Sequence, residues 1–178
     1  VYFIIKTLIF LLILGVLPKK SPKKSDLRAV SPPKNIPTEK DTLQVIDKIA
    51  FKTNLYLWQD FMPSVPKTGP PFYLSLDIEV KNNSKSKIKN FKAEKLTLSY
   101  DKTKKEFKTF LLTSADGDSL QTEINSQDSE EFSFTNDRSL VFSPKLKEGE
   151  KFYARILVSW NGKTKVISTA PVNVEFTY

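Results

Sequence analysis

The chain has 178 residues, among which there is no Cys and no His. These two absences exclude disulfide bonds, thiol chemistry, catalysis by Ser-His-Asp or Cys-His groups and the usual zinc sites. The net charge of +8 favours nucleic-acid or membrane binding unless the basic residues are confined to one segment.

The first 17 residues form an apolar run that Lys6 interrupts. Residues 7–17 provide an uncharged stretch that suits the core of a secretory signal and is too short for an ordinary transmembrane helix. Apart from Gly15, the run lacks the small residues of a cleavage site. We therefore predict that residues 1–17 are an export signal or a short helical membrane anchor.

Residues 18–40 carry most of the positive charge and resemble a stalk in composition. They contain six Lys and Arg28 against Asp26 and Glu39, so residues 41–178 have a net charge of +2. Five Pro favour an extended, disordered linker over residues 18–45. Its basic residues suit anionic lipid headgroups or cell-wall polyanions; alternatively, the stretch is a solvated spacer that keeps the domain away from the membrane. The basic tether residues are Lys19, Lys20, Lys23, Lys24 and Arg28.

The charges that flank the apolar run help to predict on which side of the membrane the downstream part of the chain lies. Lys6 alone precedes the run and several basic residues follow it, an excess that would hold the downstream part in the cytoplasm. Residue 1 is Val rather than Met, however, which indicates either a non-standard start codon translated literally or missing upstream residues. A basic region among such residues would restore the usual charge bias. We therefore expect an exported domain, periplasmic or extracellular.

After the linker, apolar residues recur with a period of two, which predicts β-strands. Residues 72–81 show the clearest alternation. Residues 42–48 fit either a helical turn or a lead-in strand. The predicted strands cover residues 51–58, 72–81, 96–100, 107–113, 132–134, 152–160, 164–168 and 172–178.

Two turn signals fall near the end of the chain. Asn161-Gly162 predicts a two-residue hairpin turn. Pro171 predicts a break in the returning strand and places that strand at a sheet edge.

Seven or eight strands without a convincing helix predict a single antiparallel β-sandwich over residues 46–178. Residues 146–156 read LKEGEKFYARI, with Leu146, Gly149 and Phe152 spaced as in the corner before the sixth strand of fibronectin type III domains. The stretch thus resembles that family and related immunoglobulin-like domains, although Phe152 replaces the corner Tyr. The resemblance implies an immunoglobulin-like fold and says little about activity.

Trp58, Phe61 and Met62 are the candidate contact residues. They precede a Pro-rich connection, and aromatic side chains there can bind a sugar or anchor a partner protein. The alternative is that the three side chains close one end of the sandwich.

The charges of the domain are segregated along the chain. Residues 81–108 contain ten Lys and three acids, whereas residues 114–137 contain seven acids and no Lys or Arg. This pattern favours either an oriented partner or head-to-tail contact, or simply solvated faces. Aromatic residues do not alternate with the Lys run as nucleic-acid stacking would require, so we expect no nucleic-acid binding.

No catalytic or cofactor site is predicted. Asp116 and Asp118 could bind calcium, but their spacing does not match an EF-hand, and an Asp-Gly hairpin turn explains them more simply. With five Gly in the chain, there is no phosphate-binding loop. We therefore expect no metal, no cofactor and no enzymatic activity.

Together these features predict an exported or membrane-tethered binding module that contacts protein or glycan at the cell envelope. The alternative is a structural component of an envelope assembly, which would dock by edge-strand pairing through the interrupted last strand.

Overall fold

The computed structural model describes residues 42–62, 67–115, 123–137 and 141–178. All of them belong to one compact unit, Pro33–Tyr178. The predicted signal or anchor at residues 1–17 lies outside the described residues, as do Lys19, Lys20, Lys23, Lys24 and Arg28 of the tether. The described part of the chain contains no helix with the length and apolar character that a bilayer crossing requires.

Nine strands make up the regular structure of the described residues. They are β1 (Thr42–Ile46), β2 (Ile49–Asp60), β3 (Phe72–Asn82), β4 (Lys92–Tyr100), β5 (Glu106–Ser114), β6 (Ser129–Asn136), β7 (Lys151–Trp160), β8 (Lys163–Ser168) and β9 (Val172–Thr177). The eight predicted strands coincide with β2 to β9. The ambiguous residues before them form β1, so strand pairing begins at Thr42, before the predicted domain boundary at residue 46.

Alternation of apolar and polar residues explains β3. Leu74, Leu76 and Ile78 are fully buried, whereas Ser75 and Asp77 between them are half-buried. Because successive side chains of a strand point to opposite faces, the apolar set faces the core. Burial of each such side chain contributes about 1.5–3 kcal/mol to folding.

The strand pairing closes on itself. β2, β3, β6, β5, β4 and β7 lie side by side in this order with antiparallel pairing. β9 joins the two ends, because it pairs antiparallel with β7 and parallel with β2. β1 and β8 are added on β2 and β7. An all-β, mainly antiparallel domain is thus confirmed, whereas closed, barrel-like pairing does not confirm a two-sheet sandwich.

Aromatic rings fill much of the core. Phe51 and Phe152 are fully buried. The ring centroid of Phe51 lies 5.4 Å from that of Trp160, and Phe152 lies 4.8 Å from Phe107. Ring pairs at such distances contribute about 0.5–1.5 kcal/mol beyond the burial of their area.

Two hairpins within the described ranges have two-residue turns. Asn161 and Gly162 have φ angles of 48° and 72° and join β7 to β8, which confirms the predicted turn. Asp47 and Lys48, with φ angles of 53° and 67°, join β1 to β2 in the same way. The sequence did not predict this second turn because neither residue is Gly, the usual residue for positive φ.

The corner before β7 shares part of the immunoglobulin-like pattern. Gly149 has a φ of 77°, Leu146 packs against the core and Phe152 lies within it. Phe152 has no hydroxyl group, so it cannot make the hydrogen bond of a corner Tyr. Tyr153 takes the opposite face, where its ring centroid lies 4.9 Å from Nζ of Lys104.

Candidate binding surface

Trp58 lies on the face of β2 opposite the core. Its neighbour Leu57 is fully buried in the core, so the Trp58 side chain points the other way. The register places Trp58 between Tyr73 of β3 and Glu175 of β9. Its ring centroid lies 5.2 Å from Tyr56 and 5.4 Å from Tyr73. Trp58 is 5% exposed, so its rings are covered in the folded protein.

Tyr56, which stacks on Trp58, donates a hydrogen bond of 2.7 Å to Oε2 of Glu175. Burial raises the pKa of Tyr56, and the hydrogen bond and charge of Glu175 raise it further. Burial and the charge of Glu150 likewise raise the pKa of Tyr100. Each folded-state pKa therefore exceeds the ordinary Tyr value of about 10. Because the unfolded chain loses these protons first, stability falls as the pH rises above about 10.

Replacing Tyr56 by Phe should cost about 1 kcal/mol at pH 7, because one hydrogen bond is lost. The same change should flatten, but not abolish, the fall in stability above about pH 10, since Tyr100 still contributes. Urea denaturation at pH 7 and pH 10.5 measures both effects. Tyr178→Phe, at an exposed position, is the matched control and should leave the fall in stability above about pH 10 unchanged.

Phe61 and Met62 lie where β2 ends, beside the end of β9. The backbone N–H of Phe61 donates to the carbonyl oxygen of Thr177 at 2.7 Å. The Phe61 ring centroid lies 5.1 Å from Phe176 and 5.4 Å from Tyr178. Met62 is 47% exposed and Tyr178 is 82% exposed. We call Phe61, Met62, Phe176 and Tyr178 the aromatic end.

A buried amide holds the loops next to the aromatic end. Nε2 of Gln59 donates to the carbonyl oxygens of Pro70 at 2.9 Å and Pro144 at 2.8 Å. The backbone N–H of Met62 donates to Oδ1 of Asp60 at 2.9 Å. These bonds tie two loops to β2 and fix the backbone from which Met62 projects.

The structure brings together two of the three predicted contact residues. Phe61 and Met62 share the aromatic end, whereas Trp58 lies on the sheet face. Phe176 and Tyr178 were not among the predicted site residues. Their alternation placed them in a strand, but it did not indicate that this strand would pair in parallel with β2.

Among the described residues, an exposed ion pair joins the Lys-rich and acid-rich segments. Nζ of Lys87 lies 3.6 Å from Oε2 of Glu123, and both side chains are about half exposed. A pair of this kind contributes at most about 1 kcal/mol. An oriented contact of the two segments with a partner stays a prediction.

Asp116 and Asp118, the residues considered for calcium, lie outside the described residues. Within the described ranges, no group of three or more Asp or Glu side chains could hold a metal ion. The expectation of a turn without metal at these two residues is therefore still a prediction.

The last strand is interrupted at Pro171, as predicted, and β9 then changes partners. Val174–Thr177 pair with β2, while Val172 and Asn173 pair with β7. β9 therefore pairs with two strands, each along a different part of its length. Among the described strands, the edges of the sheet are β1 and β8.

No family model matches the sequence, and no curated protein matches it. Among solved structures, the chain is similar to Northeast Structural Genomics Consortium target SoR45, with 11% identity, a TM-score of 0.40 and coverage of 72% of this chain and 86% of that chain. It is also similar to the CooA pilin subunit from enterotoxigenic Escherichia coli, with 13% identity, a TM-score of 0.32 and coverage of 70% and 98%. At TM-scores this low, neither likeness supports an argument about fold or function.

Proposed function

We propose that this chain is a non-catalytic binding module of the cell envelope, which contacts protein or glycan through the aromatic end. The observation that carries the proposal is the exposure of Met62 and Tyr178 beside the half-buried rings of Phe61 and Phe176. Aromatic residues and Met are enriched where proteins meet their partners. Tyr178 adds a hydroxyl group that can pair with a protein or sugar acceptor.

The backbone around the aromatic end supports the proposal as well. Phe61 is bonded to β9 through its N–H, and Gln59 holds the neighbouring loops. A surface that is ordered before binding loses less conformational entropy on association, so a few exposed side chains can give useful affinity.

Sequence composition supports tethering and the absence of catalysis. The apolar residues 1–17 suit a membrane segment, and the basic residues 18–40 suit a stalk that keeps the domain at an envelope surface. The chain has neither the His nor the Cys on which much acid–base and nucleophilic catalysis depends. Nucleic acid is not among the proposed partners.

We further propose that the closed pairing is an immunoglobulin-like sandwich whose two sheets are joined at their edges. If β2 is the first strand, the first, second and fifth strands are neighbours, and so are the third, sixth and seventh. Immunoglobulin-like domains group their strands in this way. This fold hosts many functions, so the binding proposal depends on the aromatic end alone.

Replacing both Met62 and Tyr178 by Ser should weaken binding of the full chain to isolated envelopes by about tenfold or more, because exposed anchor side chains are lost. Both side chains are exposed, so folding should be unaffected. Sedimentation of the purified chain with envelopes from the source cells measures the bound fraction. Prior treatment of the envelopes with protease separates a protein partner from a glycan.

The matched control is the double replacement of Leu111 and Val141 by Ser, which removes two exposed apolar side chains outside the aromatic end. This variant should bind as the wild type does. Equal binding by both double variants would refute the aromatic end as the contact surface. Cell fractionation and protease accessibility of residues 19–40 show whether the chain reaches the envelope.

A structural role in an envelope assembly is the second candidate. The observation that favours it is the pair of strand edges at β1 and β8, since unpaired edges can pair with another chain. Normal envelope association of the Met62 and Tyr178 double variant would favour this candidate over the first.

A further inference from the structure

Strands β1 and β8 face each other across a gap, which we call the seam. β9 links β2 and β7, since Val172 and Asn173 pair with β7 and Val174–Thr177 pair with β2. Further along β2 and β7, β1 and β8 line the two sides. In the part of the chain that the structure describes, side chains bridge the seam at two places: the Gln44 side chain meets the backbone of Ser168, and Nζ of Lys163 lies 3.2 Å from Oδ2 of Asp47. Among the described residues, no ladder of backbone hydrogen bonds joins β1 to β8.

The amide of Gln44 imitates a peptide group in the seam. Its Nε2 donates to the carbonyl oxygen of Ser168 at 3.1 Å, and its Oε1 accepts from the Ser168 N–H at 3.2 Å. Two residues of an antiparallel pair exchange the same two bonds. Strands that pair directly lie about 4.8 Å apart, too close to admit an amide side chain between their backbones. The Gln44 amide therefore stands where one peptide group of an intervening strand would be.

The edges of the seam present backbone groups to an incoming strand. Two-residue hairpins are closed by hydrogen-bonded pairs, which here are Ile46 with Ile49 and Trp160 with Lys163. The hydrogen-bonding direction alternates along each strand. The N–H and C=O groups that point into the seam include those of Leu43 and Val45 on β1, and those of Thr164, Val166 and Ser168 on β8.

Apolar side chains line both sides of the seam. Leu43, Val45 and Val166 are 66%, 63% and 53% exposed on the outer side, although they belong to paired strands. On the inner side lie the buried rings of Phe51 and Trp160. A strand that entered the seam would thus bury apolar side chains on its outer face. Its inner face would lie on the side to which the register of β8 with β7 assigns Lys163 and Lys165.

The positive charge around the seam favours a partner segment with acidic residues. Lys163 and Lys165 are exposed on β8, and Lys48 is exposed on the turn that begins where β1 ends. Asp47 is the acid on that turn, and it is paired with Lys163. Acidic residues in an incoming segment would therefore meet mainly positive charge.

We propose that the seam binds an extended segment of another polypeptide, with alternating apolar and acidic residues, which enters between β1 and β8 and displaces the Gln44 amide. The segment would run antiparallel to β8 and parallel to β1, the mixed pairing that β9 already makes with β7 and β2. This site is separate from the aromatic end, so either proposal can fail without the other.

The test measures binding of a synthetic nine-residue peptide of alternating valine and glutamate to the full chain. Fluorescence anisotropy of the labelled peptide gives the affinity. Gln44→Ala should bind about five- to tenfold more tightly than the wild type, because the competing intramolecular amide pair is gone. Hydrogen exchange should slow at Val45 and Val166 when the peptide binds, since their N–H groups become paired.

Two controls separate strand pairing from apolar contact. A peptide with N-methylated valines keeps every side chain but loses backbone donors, and it should bind much more weakly. Asn173→Ala removes an exposed strand amide away from the seam and should leave the affinity unchanged. The proposal is overturned if Gln44→Ala binds no better than the wild type, or if the N-methylated peptide binds equally well. Self-association of the wild type at the seam that the peptide cannot displace would also overturn it.

Discussion

Replacing Asn82 by Asp is expected to lower the free energy of unfolding by about 3 kcal/mol or more at pH 7. The Asn82 side chain is fully buried, and its Oδ1 accepts from the N–H and hydroxyl of Ser84. Its Nδ2 faces the carbonyl oxygens of Ser86 at 2.8 Å, Asn125 at 3.0 Å and Ile124 at 3.2 Å. The change keeps the shape of the side chain but turns an oxygen, in place of the donor, toward these carbonyl groups.

The pH dependence of the variant identifies the cause. Burial and the facing oxygens raise the pKa of the new carboxyl group above its ordinary value of about 3.9 in the folded state. The folded variant therefore retains a proton that the unfolded chain loses, and its stability falls as the pH rises from about 4. Urea denaturation should accordingly show a smaller loss, relative to the wild type, at pH 4 than at pH 7.

Asn83→Asp is the matched control for this substitution. Asn83 is the next residue in the chain, and its side chain is exposed. The same chemical change there should alter stability by no more than about 0.5 kcal/mol. Equal losses at the two positions would show that added charge, rather than the missing donor, determines the effect.

The strands of this domain were predictable because their signal is local. β3 alternates residue by residue, and one buried face is enough to produce that pattern. The role of Asn82 was not predictable in this way. Its amide meets Ile124 and Asn125, which lie more than forty residues away in the sequence and come close only after β3 and β6 have paired.

In the candidate site, too, some residues had a local sequence signal and others did not. Phe61 and Met62 stood out in the sequence because large apolar residues precede a Pro-rich connection. Their companions Phe176 and Tyr178 are brought to them by the parallel pairing of β9 with β2. Gln44 gave no local signal either, since its partner Ser168 lies on a strand that pairs with β7. Long-range strand pairing therefore determines which residues come together at the site, and local alternation does not reveal that pairing.

Replacing Phe152 by Ala is expected to cost about 3–5 kcal/mol of stability. The ring is fully buried, and its centroid lies 4.7 Å from Tyr100 and 4.8 Å from Phe107. The residue also pairs with Val172, where β9 closes the set of strands. The cavity would thus form beside the short pairing of β9 with β7, which closes the set of strands. Guanidinium denaturation followed by circular dichroism measures the loss.

Tyr153→Ala is the neighbouring control. Tyr153 points away from the core and contacts Nζ of Lys104, so its removal should cost about 1 kcal/mol or less. Similar losses for the two Ala variants would contradict the assignment of Phe152 to the core and Tyr153 to the outer face.

Phe152→Tyr tests the resemblance to immunoglobulin-like corners directly. In those domains the corner Tyr donates its hydroxyl to the backbone. At Phe152 the surrounding groups include the rings of Tyr100 and Phe107, so a new buried hydroxyl should lack an acceptor and cost about 1–3 kcal/mol. A gain in stability would instead show that the backbone acceptor of the corner is in place and that Phe152 occupies the position of the missing Tyr.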